Sequence, residues 1–280
     1  MRKISAKKIT EIIKALSIEA NLYLGKDMRA ALEKALKIEK SKTGKELLDN
    51  IIKNAKIAAK EKIPICQDTG FTVVFLEIGQ EVKIVGGSLN SAIEKGVRAG
   101  YTKGYLRKSI VSDPFKRKNT GDNTPAVIHA EIVPGNRLKI TLMAKGGGCE
   151  NVSHAKVLRP SDGMNGVEKF VLETVEAAGG NPCPPVIVGV GIGGTLDKAT
   201  LLSKKALLRE IGKTNKDKSI AKLEKRLLKK INNLGIGPGG LGGRITAVAV
   251  NIETFPCHIA SLPVAVNIDC HAHRVKQVVI

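Results

Sequence analysis

The sequence predicts an α+β protein, a helical N-terminal region followed by a mixed α/β domain. Three observations predict it. Apolar residues recur at helical spacing up to about residue 62, short β-rich runs begin after Pro64, and helical periods return between continuous apolar runs in the second half. The expected division is therefore 1–62 and 63–280, two unequal parts of a 280-residue chain long enough to bury a large core.

Ile9, Ile12, Ile13, Leu16 and Ile18, then Leu32, Ala35, Leu36 and Ile38, mark two amphipathic helices. Thr43 with Glu46 three residues later forms a capping box, which predicts a third helix over Leu47, Leu48, Ile51, Ile52 and Ala55. Beyond Pro64, strands are predicted over 72–77, 82–85, 127–133 and 138–144. The turn residues Pro134, Gly135 and Asn136 join the last two as a hairpin. Residues 163–178 and 196–234 return to helical spacing, whereas 186–192, 245–250 and 264–268 are continuous apolar runs of the kind found in buried strands. No 20- to 50-residue period repeats and no segment is of low complexity.

A formal charge of +20 is compatible with nucleic acid, an acidic membrane surface, small anions or a lysine-rich surface. Aromatic residues at 3%, no Trp, and lysines spread along amphipathic helices argue against polynucleotide binding. Abundant Lys, Glu and Ile is a thermophile-like composition that accounts for much of the charge. Apolar stretches break well before the roughly 18 to 20 residues of a spanning helix, and the basic start is not followed by a signal-type run, so a cytoplasmic protein with no membrane segment is expected. Five cysteines at wide spacings argue against a disulfide framework and leave buried thiols or metal and cluster ligands.

Four constellations could carry chemistry. Cys66-Gln67-Asp68-Thr69-Gly70 places a thiol, an amide and a carboxylate between a helix and a strand; a turn around a small buried cysteine is the alternative. Lys145-Gly146-Gly147-Gly148-Cys149-Glu150-Asn151 follows a strand and offers backbone N–H groups beside a lysine, as an anion needs. Asn181-Pro182-Cys183-Pro184-Pro185 restrains its cysteine on both sides and leads to Gly189, Gly191 and Gly194, a GxGxxG spacing that supports a nicotinamide-dependent oxidoreductase. That match is weak, because the acidic residue about twenty positions on is Glu210, inside a helical run. Last, Asp269-Cys270-His271-Ala272-His273-Arg274 closes a strand, with Cys257 and His258 upstream; zinc on Cys270, His271 and His273 is conceivable but matches no common spacing.

Taken together and in this order, the four motifs resemble the iron–sulfur class I fumarate hydratases, and are similar to the related L-tartrate dehydratase α subunits, from about residue 60 onward. The resemblance implies a four-iron, four-sulfur cluster held by Cys66, Cys183 and Cys270, with one iron left without a protein ligand. It makes Cys149, which replaces a serine of the family's GGGSAN, and Cys257 non-ligands. It implies that Gln67 and Asp68 reach substrate beside the cluster, that Arg107 pairs with a carboxylate, that Gly148 offers a backbone N–H, and that His258 lines the pocket.

The reaction so implied is reversible hydration of fumarate to malate, a step of the tricarboxylic acid cycle, with dehydration of L-tartrate as the alternative. Single-chain relatives continue past the equivalent of Cys270 into a second domain, whereas this sequence ends ten residues beyond it at Ile280. The expectation is a separate β subunit and a hetero-oligomer such as α2β2. The apolar ending Val278-Val279-Ile280 suits docking or a buried terminal strand.

Overall fold

Three helices follow a short strand at the start of the chain, as the apolar spacing predicts. Strand β1 (Arg2–Ser5) leads into α1 (Ala6–Leu22), whose first turn is capped by Ser5 Oγ accepting from the Lys8 N–H at 3.2 Å. Helices α2 (Lys26–Ile38) and α3 (Lys42–Glu61) come next. The capping residue of α3 is Ser41, whose Oγ accepts from the Gly44 N–H at 3.2 Å, so Thr43 lies inside the helix and does not open it.

The computed structural model describes residues 1–280, and these helices do not form a region of their own. One unit comprises Met1–Leu24, Ala55–Gly147 and Arg274–Ile280; the other comprises Gly25–Asn54 and Gly148–His273. This partition differs from the expected boundary at residue 62, because α1 packs in the core of the first unit whereas α2 belongs to the second. An amphipathic period shows that a helix has a face to bury but not against which sheet.

In the first unit, β2 (Phe71–Gly79) lies between β4 (Val127–Val133) and β5 (Leu138–Lys145), parallel to the first and antiparallel to the second. The predicted hairpin is thus corrected, since β4 and β5 are not neighbours. Four consecutive residues, Val73–Leu76, are buried, so β2 takes partners on both edges, while β4 is largely exposed at the sheet margin. The chain after β4 crosses the end of β2, where Gln80 N–H donates to Val133 O at 2.9 Å and Gly79 N–H to Arg137 O at 2.8 Å.

The C-terminal strand β10 (Val275–Val279) completes this sheet against β5, and Ile280 and Leu138 exchange both backbone hydrogen bonds. The apolar ending is therefore a sheet strand of this unit. Strand β3 (Val82–Val85) pairs with β1. Helix α4 (Leu89–Lys103) packs on α1, so that Ile9, Ile13, Val74, Ile93, Val97, Tyr101 and Ile140 share one core.

The second unit is built on a sheet in the order β6 (His154–Leu158), β9 (Leu262–Asp269), β7 (Val186–Gly193), β8 (Ala247–Phe255). Strands β7 and β8 are parallel, and β9 is antiparallel to both of its neighbours. The one-turn helix α5 (Gly147–Glu150) precedes β6, and α6 (Gly163–Ala178) contributes Val171 and Val175 to the core. The predicted helical run 196–234 divides into α7 (Leu196–Ala206) and α8 (Lys218–Asn232), the latter capped by Asp217 accepting from Ser219 and Ile220. No helix is long and apolar enough to cross a membrane.

Candidate active site

In the first unit, the segment between α3 and β2 is irregular, and its backbone is held from several elements at once. Ile65 N–H donates to Asn21 O at 2.9 Å, and Thr69 Oγ1 donates to Arg107 O at 2.8 Å. The buried Tyr101 hydroxyl donates to Thr69 O at 2.8 Å and reaches Gly70 O at 3.2 Å, and Asn123 Nδ2 donates to Gly70 O at 3.1 Å. Burial pushes the Tyr101 phenol above its ordinary value, which keeps the hydroxyl protonated and donating. Gly70 has φ +69°, and a Cβ there would stand 2.5 Å from Lys145 O, so the last position of the motif admits only glycine.

The Asp68 carboxylate is oriented by this framework. Its Oδ1 accepts from Gly70 N–H and its Oδ2 from Gly147 N–H, each at 2.8 Å. Cys66 and Gln67 are exposed at the tip of the segment. Arg107 is exposed too, and its backbone carbonyl is the group that Thr69 binds.

In the second unit, Cys183 lies just before β7 and Cys270 just after β9. Because Ile187 pairs with Asp269, both cysteines leave the sheet at the same end. His271 Nδ1 lies 2.9 Å from Cys183 O, linking the two segments. Cys183 has φ +54°, an uncommon left-handed conformation for a residue with a side chain, and its N–H donates to Gly180 O at 3.0 Å. Cys183 is exposed and Cys270 half-buried.

Cys149, buried in α5, has its sulfur in one cluster with Cys270 Sγ and an Asp269 oxygen, all within 4.8 Å of one another. These donors, and not His271 and His273, converge with Cys270; His273 Nδ1 instead sits 2.8 Å from Asp269 Oδ2. Gly148 is exposed at the start of α5.

Within the second unit, His258 is separated from Cys183 and Cys270. It follows Phe255, which pairs with Gly193 at the far end of β7 from Ile187. That end is roughly 23 Å along the strand from the one where Cys183 and Cys270 emerge. There His258 lines a cavity of about 400 Å³ with Cys257, Met164, Val167 and Leu223. Strand register decides this, and sequence proximity to Cys270 gives no sign of it.

The GxGxxG spacing also has a different purpose from the one it suggests. Gly189 and Gly191 lie within β7, where added Cβ atoms would meet Ser203 O at 2.2 Å and Ala199 O at 2.0 Å. They let α7 approach the strand and do not form the strand-to-helix turn that cradles a pyrophosphate. Residues that sequence reasoning missed are Tyr101, Asn123 and Arg274, which act through buried side chains; only Arg274 lay inside a quoted motif.

Comparison with known proteins bears on the whole chain. The family model for fumarate hydratase (Fumerase) matches residues 10–279. A protein of Methanocaldococcus jannaschii, provisionally named L(+)-tartrate dehydratase subunit alpha, is 47% identical over 278 residues that cover 95% of each chain. Proteins named L(+)-tartrate dehydratase subunit alpha from Escherichia coli and Shigella sonnei are 36% identical over 271 residues, covering 95% of this chain and 89% of theirs. With all four motifs inside these matches, the chain belongs to the fumarate hydratase family of hydro-lyases.

Proposed function

We propose that this chain is the α subunit of a two-subunit iron–sulfur hydro-lyase that interconverts fumarate and malate, with Cys66, Cys183 and Cys270 as ligands of a four-iron, four-sulfur cluster. One observation carries the reading. The family match runs across all three cysteines, and each stands in irregular backbone next to a helix or strand. Thiolates are the soft donors that such a cluster takes, and three of them leave one iron open. The donor set therefore fits the group. When bound, it supplies a Lewis acid beside the hydroxyl that leaves malate.

The remaining steps fall to side chains and backbone of this chain and its partner. Arg107 takes one substrate carboxylate in two parallel hydrogen bonds, and Gly148 N–H donates to an oxygen on which negative charge develops. Gln67 fixes the substrate beside Cys66. Asp68, oriented by Gly70 and Gly147, keeps lone pairs unused by those bonds and takes part in proton transfer next to the reacting carbons. His258, which the resemblance implies lines the pocket, stands at the other end of β7 from Cys183 and Cys270 in its own unit. The relatives' names as alpha subunits support a separate β chain, in an assembly such as α2β2, that closes the pocket and adds anion donors. Cytoplasmic placement and a step in the tricarboxylic acid cycle belong to the same reading.

The test is anaerobic cluster reconstitution in this chain, followed by fumarate hydration assays with and without the β chain from the same source. Activity only in the mixture is expected, and full activity of the α chain alone overturns the two-subunit reading. Dehydration of L-tartrate is the second reading, favoured by the names of the relatives. Turnover of L-tartrate well above that of malate in the same mixture would select it.

A further inference from the structure

Arg274 is a buried cation, 3% exposed, at the point where the chain returns to the first unit after the second. Its guanidinium is spread over two carbonyls: Nε donates to Ala144 O at 3.0 Å and Nη1 to Asp68 O at 2.5 Å. The Arg274 backbone is itself fixed, its carbonyl accepting from Ala144 N–H at 2.9 Å. A Cβ on Gly146 would come within 3.1 Å of Arg274 Nη2 and 3.2 Å of Asp68 Oδ2. The first glycine of the Gly146–Gly148 run thus leaves the room in which guanidinium and carboxylate both sit.

We propose that Arg274 is a positioning residue for the reaction: its planar fork locks the Cys66–Gly70 loop to the end of β5 and so sets where the Asp68 carboxylate points, with Gly146 kept small to admit it. The proposal rests on the reading that places Asp68 beside substrate. Arginine is required for a geometric reason. Two acceptors on different segments, one in the loop before β2 and one on β5, are met at once by Nε and Nη1 of one rigid plane, whereas a lysine ammonium is a point charge on a flexible stem and cannot span them in the same way.

The test uses the full-length chain carrying Arg274→Lys, with Gly146→Ala as the second variant. Hydrogen exchange is followed at the Gly70 and Gly147 amides, which the Asp68 carboxylate holds, with the β2–β5 ladder amides as internal control. Both variants are expected to speed exchange at Gly70 and Gly147 by roughly tenfold or more while the ladder stays at its wild-type rate, as for a local opening. In the reconstituted α–β enzyme at matched iron content, kcat is expected to fall roughly 10- to 100-fold, the scale of a 1 Å misplacement, with KM nearly unchanged.

Wild-type exchange at both amides in Arg274→Lys overturns the proposal. Should that variant lose the ladder as well, Gly146→Ala decides, and unchanged exchange there overturns it equally. Faster exchange with undiminished kcat upholds the positioning and removes Asp68 from the chemistry, so the two failures are told apart.

Discussion

Cys149 and Cys270 have donor atoms within 4.8 Å of each other, yet only the second is assigned to the cluster. The assignment makes a sharp prediction at the scale of single residues. Changing Cys66, Cys183 or Cys270 to Ser should abolish stable iron and acid-labile sulfide in anaerobic preparations, whereas Cys149→Ser and Cys257→Ser should retain both. Full cluster content in Cys270→Ser, or its loss in Cys149→Ser, would reassign the ligands. Asp68 calls for a different readout, because the carboxylate proposed to act on substrate also accepts from two backbone amides. In Asp68→Asn one of those N–H groups faces an NH2 instead of an oxygen, so a stability loss of about 1–3 kcal/mol is expected alongside the catalytic defect. Comparing kcat at equal iron content separates the two, and a fall of roughly 10²- to 10⁴-fold is expected for loss of an acid–base group.

Between elements, the clearest device is the carboxylate of Glu39, at the C-terminus of α2. It is 2% exposed and accepts backbone N–H bonds from Lys40 and Ser41, where α3 begins, and from Arg244 and Ile245 just before β8. Burial acts to raise its pKa, but these four donors outweigh burial and leave it below the ordinary value of 4.5. A depressed folded-state pKa contributes stability above the unfolded value that is lost as pH falls through the folded one. The wild-type thermal midpoint should therefore decline as pH drops below about 4.5, and Glu39→Gln should decline less steeply over the same interval. Parallel melting curves of the two proteins from pH 6 to 3 check this; identical slopes would show that Glu39 carries none of the acid sensitivity.

At the scale of the whole molecule, the interleaving of segments matters more than the apparent helical region and its boundary. Ile9, Ile13 and Leu16 of α1 are almost fully buried in the core of the first unit. Burying three such side chains stabilises by roughly 5–9 kcal/mol, comparable with the total stability of a domain. A fragment spanning 63–280 should consequently fail to show a cooperative thermal transition by circular dichroism, and a sharp transition would restore the boundary at residue 62.

Helix positions, the buried strands of the second unit and the chemical types in the four motifs were legible because they depend on local spacing. Apolar stripes, proline and glycine act on their immediate neighbours, so Ile9–Leu16, Val186–Ile192 and the order of Cys66, Cys183 and Cys270 can be recognised along the chain. Strand partners were not legible. The turn at Pro134–Asn136 favours a hairpin locally, but Val73–Leu76 must be buried on both sides, and that nonlocal demand places β2 between β4 and β5. The same holds for the site. Only register puts His258 at the opposite end of β7 from Cys183, and only folding buries Arg274 against Asp68 and Tyr101 against Thr69. Sequence alone determined which groups are available and in what order; tertiary structure decided which of them meet, because the free energy of burial and of nonlocal hydrogen bonds belongs to pairs of segments and not to either segment by itself.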